Sequence, residues 1–166
     1  VLFRSVIVYE AASKSFEKLK AAVADLPITV VNKAVTGQRG QTTFHDYPER
    51  PSSSSVFDRK LKNGIPYDVK TVGLEHILED HNLPRIDVLF SNAEGAELGM
   101  LEEVLAKPEL WERIHQLCIS FHPQIYGKGP RAKLLNKFAE RKAELYFDDK
   151  AKYPCHLIVN PKRTLV

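Results

Sequence analysis

Ile86-Asp87-Val88-Leu89-Phe90-Ser91-Asn92-Ala93-Glu94-Gly95-Ala96-Glu97 is the stretch whose reading decides the fold. Its apolar run stops abruptly at polar residues. A helical spacing follows at once, with Leu98, Leu101, Val104 and Leu105 on one face. The pattern predicts a buried strand, a tight turn and an amphipathic helix, the repeating unit of α/β sheets. Ligands of such sheets bind beyond the carboxyl ends of the strands, so Asn92, Glu94 and Glu97 stand where chemistry is expected. Gly95 allows a close approach to the backbone there. Glu94 and Glu97 also have a purely structural reading, as carboxylates favoured at a helix N-terminus.

Reading upstream, Val6-Ile7-Val8-Tyr9-Glu10 is another apolar strand ending in a carboxylate. In Rossmann-like folds an acid at a strand end binds ribose hydroxyls, which makes Glu10 a candidate. Ser13 or Ser15 is placed to cap a helix carrying Phe16, Leu19, Val23 and Leu26, and Pro27 ends it. Residues 28–35 read as the next strand, followed by a turn at Gly37 to Gly40 and a strand from Gln41 to His45. Pro48, Pro51, the serine run at 52–55 and Asn63-Gly64 break regular structure over 48–64. A loop of that length is either functional or disordered. A strand at 67–72 and a helix from Leu74 to about His81 lead back to the opening stretch.

Downstream, Ile114 to Phe121 is an apolar strand closing on His122-Pro123. A histidine there is placed to act as a base near neutral pH, or else to bond a loop carbonyl. Gly127, Gly129 and Pro130 mark a turn before a helix with Leu134, Leu135, Phe138 and Ala139 on its buried face. Glu144 to Phe147 and Pro154 to Val159 read as an antiparallel pair closing one edge of the sheet.

At 166 residues the chain is one domain, large enough for a proper core. Apolar residues at 43% and charged ones at 27% are ordinary globular values. A net charge of +3 is too mild to argue for a nucleic-acid partner. Residues 125–166 hold 10 Lys/Arg against 4 Asp/Glu, which reads as a solvated helix face. Cys118 and Cys155 have neither zinc nor redox spacing, and Cys118 reads as a small core residue. No apolar run is long enough to span a membrane. The expectation is a cytoplasmic protein in a reducing compartment, with no metal.

The opening stretch resembles the strand-end signature of FkbM-type methyltransferases. Their usual pattern runs Ile-Asp, two hydrophobic residues, Lys-Ile-Asp, one hydrophobic residue, then Glu-Gly-Ala-Glu. Ile86-Asp87-Val88-Leu89 and Glu94-Gly95-Ala96-Glu97 match it, while the lysine falls on Phe90 and the second aspartate on Asn92. Asn32-Lys33-Ala34-Val35 resembles the segment bordering adenine, and Glu10-Ala11 stands where the family places Glu-Pro. At the strand end before His122 the family's acid falls on Ser120. The resemblance extends from Val6 to about Pro161. It implies a Rossmann-like, mostly parallel sheet of the class I methyltransferase type and S-adenosylmethionine as cofactor. It implies Glu10 on the ribose, Asn32 and Ala34 beside the adenine, and Asn92 on the amino-acid part or the acceptor. Glu94 and His122 would then be the catalytic pair facing a hydroxyl of a small molecule or glycan, a sugar or secondary metabolite. The alternative is a non-catalytic relative that binds or scaffolds, its site decayed at Phe90, Asn92 and Ser120.

Such an enzyme needs a first strand with a glycine-rich turn, and no Gly-x-Gly stands between a strand and a helix here. Val1-Leu2-Phe3-Arg4-Ser5 lacks an initiator Met and reads as translated sequencing adapter. The expectation is therefore a non-native scar at 1–5 and a single domain at 6–166, incomplete at its N-terminus. The missing strand would lie between 6–10 and 86–91.

Overall fold

The computed structural model describes residues 5–147 and 155–162. Residues 1–4 of the expected scar and Pro154, the expected start of the second tail strand, lie outside the described residues. The expected alternation is present. β1 (Val6–Tyr9) leads through α1 (Ser13–Ala22) to β2 (Ile28–Val31), and the two strands pair in parallel with Val6 opposite Ile28. Neither serine caps α1. Its N-cap is Ala12, with no side-chain capping bond, and the Ala12 N–H donates to Glu10 Oε1 at 2.7 Å, which ties the strand end to the helix start.

The single strand expected at 28–35 is broken at Asn32-Lys33, because the Asn32 amide donates to the carbonyls of Glu10 and Ala11 at 2.8 and 3.1 Å. The chain then leaves β2 for a different sheet, where β3 (Ala34–Val35), β4 (Gly40–Asp46) and β5 (Ile65–Val72) pair in the order β3-β5-β4. Between β3 and β4 the turn at Gly37 has φ +93° and lies on a helix backbone. A Cβ added there would sit 2.2 Å from the Gly99 oxygen, so only glycine fits.

Residues 47–64 form an ordered strap. Tyr47 is buried; its hydroxyl accepts the Arg59 N–H at 3.0 Å and donates to Asp58 at 3.2 Å. The Tyr47 N–H donates to Ser54 Oγ at 2.9 Å, and His45 and Ser55 exchange backbone hydrogen bonds at 2.8 and 3.1 Å. Side-chain partners and one backbone exchange thus satisfy the strap's polar groups in place of a continuous ladder.

α2 (Leu74–Asp80), β6 (Ile86–Ser91), α3 (Glu97–Ala106), α4 (Pro108–Trp111), β7 (Ile114–Ser120), α5 (Pro123–Tyr126), α6 (Lys128–Glu140), β8 (Glu144–Phe147) and β9 (Cys155–Val159) complete the described elements. The last four strands form one sheet in the order β6-β7-β9-β8, parallel at β6–β7 and antiparallel beyond. Leu74 and Leu78 of α2, Met100, Leu101 and Val104 of α3 and Phe138 of α6 pack against Ile114, Leu117 and Ile119 of β7 and Ile158 of β9. Trp111 meets Phe138 edge-on at 5.3 Å. Full burial of such a side chain contributes about 1.5–3 kcal/mol. Among the described residues no helix is long and apolar enough to cross a membrane.

Among the described residues the fold is mixed α/β, with three parallel and three antiparallel strand pairs in three small sheets. One expectation is corrected: the opening strand is not buried. Among the described residues β6 pairs with β7 alone, and Val88 is 43% exposed and Phe90 69%. Its free side borders a cleft, and β1 lines the same cleft.

Candidate active site

The turn after β6 assembles the site. Glu94 adopts φ +45° and Gly95 φ +107°, which reverses the chain between Ser91 and α3. A Cβ on Gly95 would lie 2.8 Å from a Phe57 ring carbon, so this position is closed to other residues by conformation and by packing. The reversal carries Glu97, the first residue of α3, inward until it is 0% exposed.

A carboxylate that deep needs every oxygen satisfied. Glu97 Oε2 accepts the Gly95 N–H at 2.8 Å. Oε1 accepts from the His122 N–H at 2.8 Å, His122 Nδ1 at 3.0 Å and the Tyr126 hydroxyl at 2.8 Å. β7 delivers His122 past its end, and α5, opened by Pro123, returns Tyr126 beside it. On the other side of the imidazole, Nε2 lies 3.0 Å from Glu94 Oε1. The strap then closes the chain of charges. Arg59 Nη1 donates to Glu94 Oε2 at 3.0 Å, and Ser55 Oγ donates to the Glu94 carbonyl at 2.5 Å. Arg59, Glu94, His122 and Glu97 therefore alternate in sign from the strap to the interior.

Burial alone would push His122 toward the neutral form, but hydrogen bonds to Glu94 and Glu97 outweigh it and lift its pKa to about 9. Burial would likewise raise the Glu97 carboxyl, yet donation from His122, a backbone amide and Tyr126 holds it below its usual value. The Tyr126 hydroxyl is raised, first by burial and then by the Glu97 charge, and stays protonated. Both ring nitrogens of His122 are thus engaged by carboxylates, so its side chain bonds Glu94 and Glu97 and not a loop carbonyl.

Glu94 belongs also to the wall of a cleft of about 800 Å³ running between β1 and β6. Glu10, Ala34 and Asn92 line it as well, so three expected binding residues share one space with Glu94. Glu10 is half-buried, and burial raises its carboxyl against the opposing pull of the Ala12 and Ala11 amides. Asn92 is exposed at the strand end. Asn32 does not line the cleft. Both its amide hydrogen bonds go to the turn holding Glu10, so it braces that turn. His122 is not in the cleft wall either, and reaches it only through Glu94.

Arg59, Ser55 and Tyr126 were not singled out from sequence. Tyr126 carried a weak signal, four residues after His122 and one short helix away. Arg59 and Ser55 carried none, because their approach to Glu94 depends on how the strap folds back. The cleft offers a carboxylate at one strand end and small side chains beside it. A second carboxylate at the next strand end is clamped by two cations. The methyltransferase FkbM domain model matches residues 5–146. Neither a curated protein nor a solved structure matches the chain.

Proposed function

The chain belongs to the FkbM methyltransferase family, and from that premise we propose that it is the larger part of an S-adenosylmethionine-dependent O-methyltransferase acting on a hydroxyl of a sugar or secondary metabolite. The observation that carries this is the position of Glu94, at once in the cleft wall and clamped by Arg59 and His122. A carboxylate so held keeps one orientation toward whatever occupies the cleft.

The residues present fit the nucleoside half of the cofactor. Glu10 is half-buried in the cleft wall and suits a ribose diol, with Ala34 beside the adenine and Asn92 at the opposite strand end. They offer no glycine cradle for the methionine half. β1 and β6 each present an unpaired side to the same cleft, which is the space a further strand and its turn would take. With that strand the sheets would join into the Rossmann-like arrangement expected of a domain at 6–166. When bound, the cofactor supplies a methyl group on a sulfonium centre. Glu94 orients the acceptor hydroxyl and takes its proton, His122 and Arg59 hold Glu94, and Glu97 with Tyr126 holds His122. Orientation supplies most of the rate in such a transfer, with modest help from the base.

The test is transfer of an isotope-labelled methyl group to a panel of sugar and secondary-metabolite hydroxyls, using the chain with a glycine-rich strand joined to it. Glu94→Gln should lower turnover by about 10²–10⁴ and leave cofactor affinity unchanged. Cofactor binding without any transfer would favour the binding-module reading, in which the departures at Phe90, Asn92 and Ser120 have ended catalysis.

A further inference from the structure

Cys118 and Cys155, 37 residues apart and without a motif between them, are brought together by the sheet. β7 and β9 are antiparallel neighbours, with Ser120 opposite Cys155 and Cys118 opposite Leu157. The two cysteines are thus diagonal neighbours across one strand pair, and their sulfurs stand 2.7 Å apart as free thiols. Diagonal partners in an antiparallel pair lie within reach of each other's side chains. A disulfide needs an S–S separation of about 2.05 Å, so closure asks each sulfur to move by only about a third of an ångström. Both side chains are partly exposed, so a small-molecule oxidant can reach them. The expectation that Cys118 is a buried core residue is corrected here: it points to the side of β7 away from Leu117 and Ile119, which are fully buried.

We propose that Cys118 and Cys155 form a dithiol modification site, oxidised to an intramolecular disulfide by low-molecular-weight disulfides such as oxidised glutathione. One of the two cysteines, as its thiolate, displaces one glutathione thiolate and forms a mixed disulfide. The other gives up its proton to solvent and attacks the first cysteine's sulfur, and the second glutathione leaves as thiolate. Two protein thiols and one glutathione disulfide become one protein disulfide and two glutathione molecules. The bond would tie β9 to the carboxyl-terminal half of β7, the strand that carries His122 just past its end.

The test is equilibration of the full chain in glutathione buffers of increasing oxidised fraction, followed by thiol titration, mass spectrometry and non-reducing electrophoresis. The expected product is a monomer that has lost both thiols together and the mass of two hydrogens. Cys118→Ser and Cys155→Ser should instead each accumulate one glutathione adduct under the same buffer. From the loop closed, the oxidised chain should melt roughly 8–15 °C above the reduced one. Three results would overturn the proposal: wild type retaining both thiols, wild type carrying stable glutathione adducts, or disulfide-linked dimers. An oxidised form melting no higher than the reduced one would overturn it too, by showing that the bond disrupts the strand pair.

Discussion

His122 should titrate far above an ordinary histidine, and Glu94→Gln should bring it down. The imidazole lies 3.0 Å from a carboxylate on each side and is nearly buried. The rise from 6.5 to about 9 corresponds to about 3 kcal/mol of stability at 1.36 kcal/mol per pH unit. Since the folded pKa lies above the unfolded one, this stability is fully present below about pH 6.5 and is lost as pH rises through about 9. Removing one opposite charge at this distance lowers such a pKa by about 1–3 units. Glu94→Gln keeps the side chain's shape and its bond to Arg59, so the fold should survive. NMR of histidine-labelled protein reads the titration directly, with His122 identified by its loss in His122→Asn. Urea unfolding at pH 6, 8 and 9.5 reads the linked stability. His156 is an internal control: burial first, then Arg131, depresses it to about 4, so its resonance should stay that of a neutral ring across the same range. A wild-type His122 titrating near 6.5, or one unmoved by Glu94→Gln, would refute the charge chain and with it the assignment of Arg59 and His122 as the clamp on Glu94.

Glu97→Ala should cost about 3–5 kcal/mol in denaturant unfolding, since it strands an imidazolium and a tyrosine hydroxyl in the interior. Gly99→Ala in the middle of α3 would ordinarily gain about 1 kcal/mol of helix propensity. Here its Cβ would lie 2.4 Å from the Thr36 oxygen, so the melting temperature should fall, and a rise would mean that the β3–β4 turn does not lie on α3. The chain of residues 1–166 should bind S-adenosylmethionine more weakly than micromolar in calorimetry, for want of a methionine cradle. In the form with the glycine-rich strand joined, Glu10→Ala should weaken binding by about 1.5–3 kcal/mol, the value of a hydrogen bond to a charged group.

Much of the fold was legible because it is written in local pattern. The strand at Ile86–Ser91, the helix at Leu74–Asp80 and the strand pair Glu144–Phe147 with Cys155–Val159 follow from apolar period and from turn residues near their ends. Pairing between sheets was not legible. Residues 28–35 read as one strand, and the break at Asn32 depends on carbonyls twenty-odd residues earlier in the chain. Ser13 and Ser15 were natural caps by composition, but the helix starts at Ser13 with Ala12 as its N-cap and no side chain caps it. The apolar character of Val88 and Phe90 suggested burial, because sequence does not reveal that one side of a strand lacks a neighbour.

The site divides along the same line. Residues at strand ends, Glu10, Glu94 and His122, could be picked out because topology places strand ends together whatever the side chains do. What each one does there depends on partners from distant segments. A histidine at a strand end with a pKa near 6.5 is a base; the same histidine between Glu94 and Glu97 is a cation that fixes a carboxylate. That change follows from Glu97 being buried: it accepts bonds from Gly95, His122 and Tyr126, and so holds the imidazole with Nε2 turned toward Glu94. Glu94 completes the pairing, and its charge is then balanced on its other oxygen by Arg59 from the strap. The carboxylate in the cleft wall is thus positioned from behind by a fully buried one. On this argument the strap is not a dispensable excursion: shortening residues 48–64 removes Arg59 and Ser55 together, frees Glu94 from one side, and should loosen the acceptor site without unfolding the core that α2, α3, α6 and β7 build elsewhere.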